Sequence, residues 1–182
     1  MSPQEAKVTM SPQQARGLTE FFLADLQQEM PTTLRVIEAA PAGKLDYAPD
    51  PKSKTGLALI RHIVVEDEWF LNCIADGAFV GGANDESDAC GIMTSADGVA
   101  RYKVTVPAAA ARVRALSDEK LAEEIDFFGM MKLPAPVLLG IMIKHSVHHR
   151  GQLSTYLRAM GGKVPGIYGP SGDSEEAETA AH

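Results

Sequence analysis

The sequence predicts an all-α protein built as a four-helix bundle, and three observations lead there. Four long segments carry apolar residues at helical spacing. No stretch offers a convincing strand ladder. Connections rich in proline, glycine and charge separate the four segments. The 182 residues suit one domain, and a 45% hydrophobic content is enough for a real core.

The first segment, "TMSPQQARGLTEFFLADLQQEM", has Ser11 to cap it and Pro12 at the first helical position, where a missing N–H costs nothing. Leu18, Phe21, Phe22, Leu26 and Met30 recur at helical spacing. Pro31 interrupts and Leu34, Val36 and Ile37 resume, so a helix kinked or broken near Pro31 is expected. "PAGKLDYAPDPKSKTG" reads as a loop. The second helix is Leu57 to Asp76, followed by the glycine-rich, acidic surface connection "GAFVGGANDESDACGIMTS". Ser95 is the candidate cap of a third helix, weakened by Pro107 and by the β-branched Val104, Thr105 and Val106. "SDEKLAEEIDFFGMMKLP" suits a short helical turn and an extended segment ending near Phe128. The fourth helix runs from Pro134 to about Met160, stopped by Gly161 and Gly162. Residues 1–10 and the acidic end, 174–182, are expected to be flexible, leaving 11–173 as the domain.

A net charge of −7 and a pI near 5.2 argue against nucleic acid and against an anionic membrane surface as partners. No apolar run approaches the roughly 18 residues of a membrane span. "MSPQEAKVTM" lacks the apolar core of a secretory signal, so a cytoplasmic location is expected. Two cysteines, Cys73 and Cys90, are too few for a disulfide framework and form no CxxC pair.

Chemistry concentrates in "IKHSVHHRGQL", residues 143–153, which holds three of the five histidines. At about 100° per residue, with Val137 at zero, the core stripe of the fourth helix spans roughly 100° to 160°. His145 falls near 80° and His149 near 120°, so this i, i+4 pair points inward together; His148 falls near 20°, at the edge. On the second helix, with Leu57 at zero, His62 falls near 140° and Glu66 near 180°, inside a stripe that includes Ile63, Trp69 and Phe70. Arg61, Glu68 and Asn72 fall on the outward face. Three inward imidazoles from two helices make a facial set for a divalent first-row metal such as Zn, Ni or Fe. Three protein ligands leave positions open for water or substrate, as in a catalytic site.

Each motif also has a plain structural reading. A lone inward histidine is usually a satisfied core residue, and an HxxxH pair arises by chance. His148 reads as a boundary residue beside the ligands. Glu66 reads as an acceptor for a ligand N–H, with a fourth-ligand role as the alternative. Cys73 shares the His62 face but lies about 16 Å along the axis, and reads as a small core hydrophobe. Trp69 and Tyr156 are candidate pocket walls, although packing explains an aromatic equally well. Arg150 could meet an anion, while a solvated or paired arginine is the plain alternative. His182 lies at the chain end. HExxH, GxSxG, P-loop and GxGxxG motifs are absent, and no histidine has a glutamate three residues before it, which argues against a ferritin-like di-iron site.

Three stretches carry a family resemblance: "LIRHIVVEDEWF", "EMPTTLRVIEAAPAGKLDYAPDPKS" and "IKHSVHHRGQLSTYLRAMGGKVPGIYGPSGD". Together they resemble the DinB-like superfamily over roughly residues 11 to 173, with "HHRGQL…VPGIYGPSGD" the most specific run. The resemblance implies a metal-binding four-helix bundle of up-down-down-up type. It maps the family's metal triad onto His62, His145 and His149, and it implies a homodimer. Some members resemble thiol-dependent transferases or isomerases, in which the metal activates a low-molecular-weight thiol. Two function classes follow. One is a metal-dependent thiol S-transferase acting on a small-molecule substrate; the other is a non-catalytic, stress-related metal bundle. A metal-dependent hydrolase is a third reading, disfavoured because Glu66 alone offers a general base near either motif.

Overall fold

The computed structural model describes residues 8–81 and 85–174. His182, the acidic end from residue 175 and the first seven residues lie outside this description. Among the described residues five α-helices and one hairpin follow in order, with short 3-10 turns at Ala42–Lys44 and Asp88–Cys90: α1 (Pro12–Glu38), α2 (Gly56–Asp76), α3 (Ser95–Arg114), α4 (Asp118–Ala122), β1 (Glu124–Phe127), β2 (Met131–Pro134) and α5 (Ala135–Met160). The fourth helix expected from sequence is therefore α5.

The caps explain the boundaries. Ser11 accepts from the Gln14 N–H while the Gln14 side chain accepts from the Ser11 N–H, a reciprocal box with Pro12 next to it. Thr55 caps α2 through the Ala58 N–H, and Gly77 ends it at a left-handed φ of 71°. Gly161 ends α5 in the same way at φ 86°. Thr94, not Ser95, caps α3, with Asp97 completing the box; Ser95 instead donates its hydroxyl to the Ala40 carbonyl, 2.6 Å away.

Neither proline breaks its helix. Pro31 lies inside a continuous α1 and Pro107 inside a continuous α3. A helix proline costs about 3 kcal/mol. Beyond Pro31, however, Thr32, Thr33, Val36 and Ile37 are all buried, and their burial outweighs that loss. The expected single extended segment is instead a hairpin, with Phe127 facing Met131 and Glu124 facing Pro134. Its turn places Phe128 and Gly129 at φ 55° and 70°. The strained Phe128 stacks on Trp69, 6.1 Å between ring centroids.

Contacts set the direction of each long helix. Arg16 of α1 reaches the Arg114 carbonyl and Ser95 reaches Ala40, so α1 and α3 are antiparallel. Asp67 meets Tyr102 and Asp76 meets Arg112, so α2 and α3 run together. Asp67 meets Ser146 and His62 meets His149, so α2 and α5 are antiparallel. Gly140 lies against Phe22 and Arg150 against Glu29, so α5 runs with α1. The core between them is aliphatic, with Ile60, Ile63, Leu71, Leu138 and Leu157 almost fully enclosed. Arg61 corrects the wheel. It is buried rather than outward, donating to the Ile92 carbonyl at 2.8 Å and to Asp88 at 2.7 Å, because the α2–α3 connection folds over it.

Candidate metal centre

The antiparallel crossing of α2 and α5 sets His62 opposite His149. Their Nε2 atoms are 3.0 Å apart. His145, one turn before His149, closes a triangle whose ring centroids are separated by 4.2, 4.4 and 4.9 Å. One nitrogen from each of the three lies within 4.8 Å of the others, and all three rings are half-buried.

The outer face of the cluster comes from the two connections flanking α2 and from α5 itself. The Nδ1 of His62 is 2.6 Å from Glu86 Oε1, and Glu86 Oε2 accepts from Lys54 Nζ at 2.8 Å. The Nδ1 of His149 is 2.7 Å from Gln152 Oε1. Burial works against charge on Glu86, but the hydrogen bonds from His62 and Lys54 outweigh it, and the carboxyl drops to about 2. Burial, reinforced by His149 and His62, pushes His145 down to about 4, and burial also lowers His149. These two imidazoles are therefore neutral at pH 7, the form in which they ligate metals. With an acceptor at each Nδ1, the His62 and His149 Nε2 atoms are turned towards one another, and a cation between them is an arrangement this donor set fits.

Glu86, Lys54 and Gln152 were not among the residues singled out by sequence. Gln152 lies three residues after His149, a spacing that would have found it. Glu86 carries no such signal, because its connection has no periodicity.

The remaining candidates are placed as follows. Glu66 is buried beside the site, and its carboxylate forms a second compact group with His62 and Glu86, all ligand atoms within 4.8 Å. His148 is exposed, its ring 4.8 Å from that of His149. Arg150 is 1% exposed and pairs with Glu29 of α1 at 2.5 Å, on a different face of α5 from the triad. Its second amino group donates to the Tyr168 hydroxyl at 2.7 Å, which fastens the chain after α5. Trp69 joins Phe70, Phe79 and Phe128 in an aromatic cluster two helical turns from His62, and Tyr156 packs edge-on to Tyr47. Cys73 is a free, buried thiol whose pKa is raised by burial.

A helical domain with a half-buried three-histidine cluster between antiparallel helices is the class these observations define. The DinB family model matches residues 10–179, and the chain belongs to the DinB family. It is 30% identical to the uncharacterized protein YjoA of Bacillus subtilis (strain 168) over 118 residues, 63% of this chain and 73% of YjoA. It is 46% identical to the uncharacterized protein YrdA of the same strain over 55 residues, so the match spans about a third of each, 30% here and 32% of YrdA. The crystal structure of the DinB-like YjoA aligns with a TM-score of 0.65 at 26% identity, covering 82% of this chain and 97% of that one. A DinB-like protein from Bacillus cereus ATCC 10987 aligns with a TM-score of 0.69 at 25% identity and the same coverage.

Proposed function

We propose that this DinB-family protein is an up-down-down-up four-helix bundle that holds one divalent ion of Ni, Zn or Fe through His62, His145 and His149. One observation carries the reading: two imidazole Nε2 atoms 3.0 Å apart, each ring with an acceptor on its other nitrogen, and a third neutral imidazole beside them. Imidazole sets of this kind suit those metals, and three protein ligands leave an open position.

The activity that fits an open site is transfer involving a low-molecular-weight thiol and a small-molecule electrophile. The bound ion would supply Lewis acidity, lowering the pKa of a coordinated thiol or water. The chain itself binds and orients: Glu86 and Gln152 hold the rings, and burial keeps His145 neutral, with one ring nitrogen free to ligate. A homodimer in the cytoplasm is the setting this reading calls for. A second reading, a non-catalytic site that ties α2 to α5, is favoured by Glu66. Its carboxylate lies close enough to His62 and Glu86 to join a closed shell.

Elemental analysis of the untagged protein beside His145→Ala/His149→Ala tests the site. About one equivalent of ion in the parent and none in the variant supports it; a parent that takes up no ion after incubation with each metal rejects it. Metal-loaded protein is then assayed against a panel of thiols and electrophiles. No turnover across the panel leaves the non-catalytic reading.

A further inference from the structure

One oxygen of Asp67 accepts two hydroxyl hydrogen bonds, and they come from different helices. Ser146 of α5 donates to its Oδ2 at 2.7 Å and Tyr102 of α3 at 3.0 Å. The contact with α5 adjoins the histidine cluster in sequence. Asp67 is five residues after His62, and Ser146 follows His145 directly. We infer that Asp67 and Ser146 are positioning residues for the cluster: their hydrogen bond fixes the register of α5 against α2 that brings His62 opposite His145 and His149. The inference rests on the metal reading above and gives that site a preorganising element away from the ion.

Stability alone is a poor reason for a carboxyl here. Asp67 is fully enclosed in a core that is otherwise largely aliphatic, where Ile63, Leu71, Leu138 and Met142 are also almost fully enclosed. Its Oδ1 has no hydrogen-bond partner among the described residues. A buried acceptor left unsatisfied costs the fold, and an apolar side chain would not carry that cost. What a buried polar pair supplies instead is specificity. Aliphatic surfaces pack at several offsets, whereas a donor and its acceptor meet at one.

The order of residues along α5 makes the offset matter. His145 and His149 are about one helical turn apart, so a slide of α5 by one turn still leaves a histidine near His62. In one direction Ile141 and His145 take the two places; in the other, His149 and Leu153 take them. Either slide loses a ligand. It also removes Ser146 from Asp67 and puts Met142 or Arg150 there. Met142 has no hydroxyl to donate, and Arg150 would have to leave its buried ion pair with Glu29. The Asp67–Ser146 hydrogen bond therefore marks the register in which all three imidazoles converge.

Tyr102 provides a matched control. It gives the same oxygen a hydroxyl, but from α3, which carries none of the three histidines. The test uses the full chain, with Zn2+ as probe. Zinc affinity is read by competition with a chromophoric chelator. Register is read in the zinc-free protein by NOEs between the His62 and His149 rings, whose centroids are 4.2 Å apart. Melting curves establish that each variant is folded. Ser146→Ala should bind zinc on the order of 10-fold more weakly and lose those NOEs. Tyr102→Phe should keep the parent's affinity and NOEs. Asp67→Asn retains an oxygen for the Ser146 hydroxyl and should bind zinc like the parent. The inference is overturned if Ser146→Ala binds zinc as tightly as the parent or keeps the NOEs, or if Tyr102→Phe loses as much affinity as Ser146→Ala. A parent that binds no zinc rejects the metal reading instead, and the zinc-free NOEs of the same variants then decide the register on their own.

Discussion

Asp67 is fully buried between α2, α3 and α5, where its Oδ2 accepts from Ser146 at 2.7 Å and from Tyr102 at 3.0 Å. Its Oδ1 has no hydrogen-bond partner among the described residues. Burial therefore dominates, and although both hydroxyls oppose it, the carboxyl is pushed up to about 7. An acid whose folded pKa is raised destabilises the fold wherever it must ionise. Stability is full below the ordinary aspartate range, falls as pH climbs towards 7, and is flat above it. Between pH 5 and pH 8 the loss from this group is on the order of 3 kcal/mol. His145 works in the opposite direction, because its depressed pKa removes stability as pH falls towards 4. The difference between the parent and Asp67→Asn cancels that contribution. Urea unfolding at both pH values should show the Asn variant gaining on the parent by about 3 kcal/mol as pH rises; parallel curves would mean that Asp67 does not titrate there. Arg150 poses a related problem of buried charge. Glu29→Ala leaves a guanidinium that is 1% exposed without its carboxylate, at a cost of about 3 kcal/mol. Adding Arg150→Met should recover part of that loss, and a double variant less stable than Glu29→Ala alone would refute the account.

At the scale of elements, periodicity was legible and its interruptions were not. A rotation of 100° per residue is enough to put His62, His145 and His149 on inward faces, and the three rings do meet across α2 and α5. The same arithmetic set Arg61 outward, because a helical wheel contains no loop to cover it. Pro31 suggested a kink or a break and Pro107 weakened the third helix, because local cost is visible in sequence while the tertiary burial that offsets it is not. The hairpin was half seen: the extended residues before Phe128 were legible, but their partner strand depends on a turn with two positive φ values. Glu86 was illegible for a further reason, since it reaches His62 from 24 positions away through an aperiodic connection. Close helix approach belongs to the same class of hidden information. A Cβ at Gly98 of α3 would lie 2.6 Å from the Ile60 Cγ2 of α2, on a branched side chain with little freedom to move. Gly98→Ala should therefore destabilise by about 1–3 kcal/mol through overpacking, more than the roughly 1 kcal/mol that alanine gains in helix propensity. A thermal melt with an unchanged or raised midpoint would show that α2 and α3 can move apart freely.

For the whole molecule, the histidine cluster joins helices that are otherwise held by packing and by the buried Asp67–Ser146 hydrogen bond. His62 belongs to α2 and His145 and His149 to α5, so an ion bound by all three bridges residues 83 or more positions apart in the chain. Such a bridge forms only in the folded state, and ligand binding to that state alone raises stability by mass action. At free ion 100-fold above Kd the gain is about 2.7 kcal/mol. For a chain of this size that corresponds to a rise in Tm of roughly 5–10 °C. The shift should grow with the logarithm of ion concentration and disappear on chelation. His145→Ala/His149→Ala should melt at one temperature regardless of ion, because a single remaining imidazole on α2 cannot bridge to α5. Glu66→Gln separates the two functional readings at this scale. If Glu66 completes a closed shell, the ion-dependent shift shrinks markedly; if the site is open, the shift persists nearly unchanged. A parent whose Tm ignores every divalent ion would remove the bridge, and with it the metal-centred reading of this fold.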